Sequence, residues 1–199
     1  MSDSPFSLIA GHVALDFCNT VDWRLDPASR FERITAYDDL LAWSAAAGVL
    51  DPPEVALLTT PTLADAPARA TELDRALELR EAAYRVVVDH EPGAADTVRR
   101  HAREAVDVCR LTMTGTAWGW TQPHPTLATP RWRVLFALLD LVRSPAMRDV
   151  RQCADTACGW VYLDTSPRRN RRWCVAGDCG NRNRVRAHYD RRRAAARRD

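Results

Sequence analysis

Apolar residues recur at helical spacing through the first three quarters of the chain. Residues 72–89 place their apolar side chains on one helical face, and residues 95–109 repeat this pattern. Residues 129–142 are apolar almost all round, which predicts the central, buried helix of the domain. Shorter helical segments are predicted at 13–21, 37–47 and 52–60. We therefore expect a mainly α fold.

Prolines and glycines mark where these segments end. Gly48 stands where a helix C-terminus favours glycine, and Pro92 and Pro145 separate the later helices. Residues 61–69 contain two prolines and are predicted as a loop. Residues 112–121 carry two tryptophans without helical periodicity, so we predict a short β-hairpin there.

After residue 150 the pattern changes to a cysteine cluster. A unit of two cysteines with four residues between them, followed by glycine, occurs twice, and 15 residues separate the two inner cysteines. Four thiolates in two tight turns are the ligand set of a closed, tetrahedral zinc site, which is structural because no position is open for water. The predicted ligands of one Zn²⁺ are Cys153, Cys158, Cys174 and Cys179.

Other interpretations of these cysteines are unpaired structural thiols, a redox pair or an iron–sulfur cluster. The duplicated unit, its two glycines and its basic flanks favour zinc. Cys18 and Cys109 lie far from the cluster in apolar surroundings and are predicted as buried core thiols.

The segment between the cysteine pairs predicts a second β-hairpin. Residues 160–164 and 168–173 flank a Ser-Pro turn, and Trp160, Tyr162 and Trp173 are expected to pack over the metal. A module this small has little core of its own, so zinc would supply much of its folding free energy.

Charge is divided unevenly along the 199 residues. The net charge of +2 hides a segment, 168–199, with 12 Arg and three acidic residues, a balance of +9. The remaining residues hold 16 Arg and 23 acidic residues, a balance of −7, and the chain has no Lys. Such asymmetry predicts a polyanion-binding arm. A solvated basic face, a tail for any acidic partner, or arginines that neutralise the thiolates are the alternatives.

The basic arm predicts a helix over 182–198, capped by Asn181. Val185 and Tyr189 lie one turn apart and are expected to dock on the zinc core. Arginine binds a phosphate group through two hydrogen bonds, so most of these arginines would contact the backbone of duplex DNA and position the protein on it. Asn183 and Arg184 are the candidates for contacts with the bases. The predicted DNA contacts are Arg168, Arg169, Arg171, Arg172, Arg182, Asn183, Arg184, Arg186, Arg191 and Arg193.

Several protein classes are disfavoured. No apolar run is long enough to span a bilayer and residues 1–11 do not resemble a leader, so we expect no membrane partner and a cytoplasmic protein, associated with the nucleoid when bound to DNA. The sequence has no phosphate loop, nucleophile elbow or paired carboxylates, and we expect no enzyme. A nuclease would need metal ligands near the arm, which His188 alone does not provide.

Two motifs resemble a known pair of domains. Residues 179–182 spell Cys-Gly-Asn-Arg, the signature of CGNR zinc fingers, and residues 160–166 and 171–174 are similar to that family. Residues 11–20 resemble the opening of the ABATE domain. The resemblance implies a bacterial transcription regulator linked to stress, with a helical sensor domain at 1–148 and a DNA-reading finger at 149–199. Cys18, where an aliphatic residue is usual, and the lack of Lys depart from the family.

The helical domain offers one candidate effector site. Asp16, Asn19 and Thr20 would share a helical face and line a small-molecule pocket together with Arg80 or Trp132; alternatively, they brace helices by hydrogen bonds. The expected partners are double-stranded DNA, a candidate effector and, as a candidate, a second copy of the chain. The alternative function is an RNA- or protein-binding zinc module in which Trp160 and Tyr162 stack on a partner.

Overall fold

The computed structural model describes residues 6–60 and 65–195, and this part of the chain confirms a mainly α fold. Its helices are α1 (Val13–Cys18), α2 (Tyr37–Ala46), α3 (Pro52–Thr59), α4 (Ala66–Val88), α5 (Pro92–Val108), α6 (Thr129–Arg143) and α7 (Cys179–Ala195). Its strands are β1 (Val21–Asp22), β2 (Phe31–Glu32), β3 (Arg110–Thr114), β4 (Ala117–Thr121), β5 (Val150–Gln152) and β6 (Val161–Leu163). Consecutive strands form three antiparallel pairs. None of the described helices has both the length and the apolar character needed to cross a membrane.

Acidic side chains start two of the helices. Asp51 accepts a hydrogen bond from the Glu54 amide at 2.8 Å, and the Glu54 carboxylate accepts one from the Asp51 amide at 3.0 Å. Asp65 caps α4, which therefore begins at Ala66, inside the segment predicted as a loop. Pro67 does not prevent this because the first turn of a helix makes no use of the missing N–H. Residues 61–64 of that segment lie outside the described part.

The core forms around α6, as its apolar pattern predicts. This helix packs against α1, α2, α4 and α5. Its fully or nearly buried apolar side chains are Trp132, Val134, Leu135, Leu138 and Leu141. On the α1 and α2 side, the rings of Phe17 and Trp43 lie 4.8 Å apart in a tilted arrangement. The predicted hairpin after α5 is present as β3–β4.

A buried ionic network ties α4, α5 and α6 together. Arg131 makes two hydrogen bonds to the Glu72 carboxylate, at 2.5 and 3.1 Å, and approaches Nδ1 of His101 at 2.8 Å. The other ring nitrogen of His101 lies 3.0 Å from the Glu78 carboxylate. Burial and the Arg131 charge lower the pKa of His101. The neutral ring therefore accepts from Arg131 and donates to Glu78.

Candidate metal centre and nucleic-acid interface

The four clustered cysteines form a site for one zinc ion, as predicted. All four sulfurs lie within 4.8 Å of one another, and each residue is at most 5% exposed. Sγ of Cys174 is 3.4 Å from Sγ of Cys179 and 3.6 Å from Sγ of Cys158, and none of the four is in a disulfide. Four zinc–sulfur bonds of tetrahedral geometry place the sulfurs about 3.8 Å apart. The donor set and its spacing therefore fit Zn²⁺.

The first ligand turn is held by Asp155. Its Oδ1 accepts from the Ala157 amide at 3.0 Å, and its carbonyl accepts from the Cys158 amide at 3.2 Å. The Cys153 amide donates to the Trp160 carbonyl at 2.7 Å, which closes the turn. These bonds bring Cys153 and Cys158 to the same side, so that both sulfurs can reach one ion.

The two glycines after the cysteine pairs serve close packing. Gly159 has a left-handed φ of +73°, and a Cβ added there would lie 2.9 Å from Cβ of Arg24 and from Cγ of Leu25. Gly180 lies within α7, where an added Cβ would come within 2.9 Å of Cδ1 of Trp173. Each contact is shorter than a carbon–carbon van der Waals contact allows. The glycines therefore make room for neighbouring residues.

The zinc module contains a β-hairpin, as predicted, but the predicted pairing of residues 160–164 with 168–173 is wrong. Strand β6 pairs with β5, which precedes Cys153, in the register Val150↔Leu163. The segment 168–173 does not continue a strand because Asp164 turns the chain, accepting from Ser166 at both the amide and the hydroxyl and from the Arg171 amide at 3.0 Å. The segment then crosses the module, where its Arg171 carbonyl accepts from the Tyr162 hydroxyl at 2.7 Å.

Arg182 and Asn183 bond to the groups around the zinc ligands, and their predicted DNA contacts stay predictions. Arg182 donates to Sγ of Cys179 at 2.9 Å, pairs with Asp155 at 3.3 Å and also pairs with Asp178. The Asn183 amide donates to the Asp155 carboxylate at 2.7 Å and to the Cys179 carbonyl at 2.9 Å. Hydrogen bonds to a ligating sulfur, and to the groups around it, orient the ligand and moderate its charge. The Arg of the Cys-Gly-Asn-Arg signature thus belongs to the metal centre.

Helix α7 differs from its prediction in two respects. It begins at Cys179, so Asn181 lies in its first turn and is not the cap. Val185 and Tyr189 are 47% and 58% exposed and do not dock on the zinc core. The reason is that the contacts of α7 with the module are made near its start, the last being a 3.4 Å bond from Arg184 to the Ala176 carbonyl, and every residue from 184 to 193 is exposed. Residues 196–199 lie outside the described part.

The remaining predicted DNA contacts fall into two groups. Arg169 pairs with Asp149 at 2.9 Å, and Arg171 lies over the Tyr162 ring at 4.0 Å while donating to the Trp173 carbonyl. These two arginines are therefore partly engaged inside the protein. The others project from the module and from α7 as exposed side chains: Arg168, Arg172, Arg184, Arg186, Arg191 and Arg193.

Asn19 joins the helical domain to the zinc module. Its side-chain amide donates to the Val161 carbonyl and its Oδ1 accepts from the Val161 amide, both at 2.8 Å. The β1–β2 connection adds a backbone bond from Arg24 to the Cys158 carbonyl at 2.9 Å. The Tyr84 hydroxyl donates to the Gly159 carbonyl at 2.9 Å. The first ligand turn thus rests directly on the helical domain. Residue spacing did not reveal these contacts.

Asp16 and Thr20 are also buried and bonded within the protein. Oδ1 of Asp16 accepts from the Ala10 amide at 2.9 Å. The Thr20 hydroxyl donates to the Phe17 carbonyl at 2.8 Å and accepts from Arg80 at 2.9 Å. Together with Asn19, these contacts agree with the bracing interpretation. The effector pocket lined by the three residues stays a prediction.

Replacing Asp16 with asparagine is expected to raise stability at neutral pH. Burial raises the pKa of Asp16 to about 6, above that of an unfolded aspartate, so the folded state takes up the proton first as pH falls. The charged form therefore weakens the folded state above pH 6. D16N should raise the free energy of unfolding at pH 7.5 by about 1–2 kcal/mol, since the helix N-terminus offsets part of the cost.

The gain from D16N should shrink as the pH falls from 6 towards 4, where wild-type Asp16 is protonated in the folded state. Urea unfolding followed by circular dichroism at pH 7.5, 6 and 5 measures the difference. A difference that is the same at all three pH values would contradict this assignment of the titrating group.

The two cysteines outside the cluster are core thiols, as predicted. Cys18 is 1% exposed and Cys109 is 6% exposed. Burial raises the pKa of Cys18 to about 12, which keeps it a thiol at neutral pH.

Comparisons with known proteins agree with this architecture. A family model for ABATE, described as "Putative stress-induced transcription regulator", matches residues 11–145, which is more than half of the chain. A CGNR zinc-finger model matches residues 150–192 and includes all four zinc ligands. No curated protein matches the chain. The chain therefore belongs to the ABATE family and carries a CGNR zinc finger after its ABATE domain.

Proposed function

We propose that this protein is a zinc-dependent DNA-binding transcription regulator. One observation carries the proposal: arginines of the zinc module divide into those that hold the metal centre and those that face solvent. Arg182 lies 2.9 Å from a ligand sulfur, whereas six other arginines project from the module and α7. Zinc has a structural role because its four thiolates leave no position for a substrate.

Helix α7 suits the major groove of duplex DNA. Arg184 and Arg191 recur at seven-residue spacing on one side, and Arg186 and Arg193 recur on the opposite side. A helix in the major groove lies between two phosphate backbones, so arginines on opposite sides can contact both. The zinc–thiolate centre carries about two negative charges, which reduce the +9 of segment 168–199 that DNA would experience. The exposed helix lies away from that centre and keeps its charge.

The helical domain would supply the regulatory input, as a sensor of a small ligand or a stress signal. The family description, a putative stress-induced transcription regulator, supports a link to stress. A change at the end of α1 would reach the zinc module through the paired hydrogen bonds between Asn19 and Val161. A shift of the β1–β2 connection would move Cys158, because the Arg24 amide in that connection donates a hydrogen bond to the Cys158 carbonyl. The sensor would thus act on how the basic surface is presented.

An RNA- or protein-binding zinc module is the second candidate, and less favoured. Base stacking needs an exposed aromatic face. Tyr162 has no exposed surface, and the Trp160 indole N–H donates to the Val21 carbonyl at 3.0 Å. These two rings are therefore poor stacking platforms. Tight binding of single strands in place of duplexes would favour this candidate over DNA regulation.

The affinity of the zinc-loaded protein for duplex DNA is expected to fall steeply with salt. Each phosphate contact releases a counterion and adds about 0.9 to the magnitude of the slope of log K against log salt. Fluorescence anisotropy with labelled duplex and single-stranded DNA, between 50 and 300 mM NaCl, measures this slope. A flat response would indicate an acidic protein partner and contradict the proposal.

The double variant R184Q/R191Q sharpens the test. Removing two arginine–phosphate pairs should lower the magnitude of the slope by about 1.8 and weaken binding at every salt concentration. Arg99 provides the matched control, because it is an exposed arginine on α5 with only an i,i+3 partner. R99Q should leave both slope and affinity unchanged. A reduction in R99Q half as large as that in R184Q/R191Q would show that binding depends only on overall charge.

A further inference from the structure

The β3–β4 hairpin carries four large apolar side chains on one face. Directly paired residues of an antiparallel hairpin share a face, and so do residues two apart along a strand. Leu111 pairs with Trp120, and Met113 pairs with Trp118. These four side chains are 52%, 43%, 61% and 65% exposed, respectively. We call this face, Leu111, Met113, Trp118 and Trp120, the hairpin patch.

The hairpin patch is anchored to the helical domain at one end. The Trp120 ring stacks on Phe136 of α6 with centroids 5.0 Å apart and planes within 7°. On the opposite face, the Thr112 and Thr121 hydroxyls hydrogen-bond to each other at 3.0 Å. The ribbon thus has one apolar and one polar face. A two-stranded ribbon is marginally stable in water, so burying its apolar face against another surface would increase its stability.

The chemistry of the patch fits a protein partner better than nucleic acid, although exposed indoles can also stack on bases. All four side chains are uncharged, whereas nucleic-acid surfaces are recognised through cations and hydrogen-bond donors. Arg110 of β3 is exposed, but it lies two residues from Thr112 and therefore on the polar face of the ribbon. The patch therefore fits an apolar protein surface of similar size.

The pairing register makes the patch complementary to itself. Strand β3 contributes two flexible aliphatic chains, and β4 contributes two flat indoles. A twofold axis parallel to the strands, between two stacked ribbons, places β3 of one copy over β4 of the other. Leu111 then meets Trp120 of the second copy, and Met113 meets Trp118. Such a symmetric contact uses the same surface on both chains.

The exposed area is sufficient for a modest dimer. Two tryptophans, a leucine and a methionine at these exposures leave on the order of 500 Å² of side chain open to water. Stacking two patches would remove about twice that area, which is close to the lower limit for a specific protein interface. A contiguous patch of this size matches the largest apolar patch of a typical monomeric protein, and such patches are often functional.

We propose that the hairpin patch is a homodimer interface in which two ribbons stack face to face. This inference is independent of DNA binding by the zinc module, since it concerns a different surface. In the dimer, the two basic helices would belong to one twofold-symmetric particle.

Sedimentation equilibrium of the zinc-loaded full chain, between 1 and 300 µM, tests the proposal. The wild-type protein is expected to sediment as a reversible monomer–dimer mixture. W118R places a charge at the most exposed position of the patch and should raise the dimer dissociation constant at least tenfold. M113E should do the same. L57R is the matched control, because Leu57 on α3 is 43% exposed and lies outside the patch; its dissociation constant should equal that of the wild type.

Circular dichroism and zinc content report whether each variant keeps its fold, which is expected because both substituted patch residues are more than half exposed. A wild-type protein that stays monomeric at 300 µM would overturn the proposal. So would a dimer that W118R and M113E leave intact. Monomeric wild-type protein whose patch binds a different, purified macromolecule would assign the surface to another occupant.

Discussion

C174S is expected to abolish zinc binding and unfold the CGNR finger. Cys174 contacts all three other ligands. Its sulfur lies 3.4 Å from that of Cys179 and 3.6 Å from that of Cys158, and its amide lies 3.5 Å from Sγ of Cys153. A serine oxygen is a poor substitute for a zinc-bound thiolate. Because zinc binding and folding of such modules are one equilibrium, losing about 10 kcal/mol of metal binding leaves the finger unfolded.

The measurements for C174S are zinc content and hydrogen exchange. We expect one zinc per wild-type chain and none in the variant, with loss of amide protection from β5 through α7. Helices α2 to α6 should keep their protection at reduced stability, since Asn19 loses its Val161 partner. C109S is the control, because Cys109 is buried but distant from the site. One zinc retained by C174S would contradict the ligand assignment.

Chelation of the wild-type protein should reproduce the variant. A cavity of about 310 Å³ lies beside the metal centre, and Cys158, Cys174 and Cys179 contribute to its wall. A small chelator can therefore approach the ion without prior unfolding. Hydrogen exchange after treatment with EDTA should match that of C174S, and added zinc should restore the wild-type pattern.

Features that depend on residue type at a fixed spacing, namely the zinc ligands and the buried helix α6, could be predicted from the sequence. The zinc ligands follow from two short units whose cysteines must converge on one ion, and α6 follows from an apolar pattern that only burial explains. The bounds of α4 were predicted less well, because a proline at 67 indicates a loop unless an Asp cap stands before it. Local signals therefore identify elements better than they identify their ends.

Long-range contacts could not be predicted from the sequence, because backbone groups form many of them and every residue carries the same backbone groups. The partner of β6 lies before Cys153, and nothing in the side chains of 168–173 distinguishes a second strand from a crossing segment. Asn183 resembles a base-reading residue in sequence, yet Asp155 draws it to the metal centre at 2.7 Å. Val185 was expected to be buried by its spacing, but α7 leaves the module before reaching it.

These contacts make the finger and the ABATE domain a single structural unit. Val161 and Tyr162 of the finger belong to the same core cluster as Leu15 and Phe17 of the ABATE domain. A signal that moves the end of α1 would therefore strain the first zinc-ligand turn. Gly159 is the residue at which this coupling can be tested with the smallest change, a single methyl group.

G159A is expected to destabilise the finger by about 3 kcal/mol and to weaken zinc binding accordingly. Alanine at a φ of +73° costs about 1–2 kcal/mol, and its methyl group would overlap Arg24 and Leu25 at 2.9 Å, which adds a similar amount. The cost falls on the first ligand turn, because Arg24 also holds the Cys158 carbonyl. Competition with a chromophoric chelator measures zinc affinity, and urea unfolding measures stability.

G177A provides the matched control for G159A. Gly177 lies in the second ligand turn, between Cys174 and Cys179, and an added Cβ there meets nothing within 4 Å. Its zinc affinity should equal that of the wild type. If G159A and G177A bind zinc equally well, the zinc affinity of the first ligand turn does not depend on its packing against the ABATE domain. If only G159A loses affinity, the ABATE domain sets the stability of the zinc centre, and a change in that domain has a direct physical route to the basic surface of the finger.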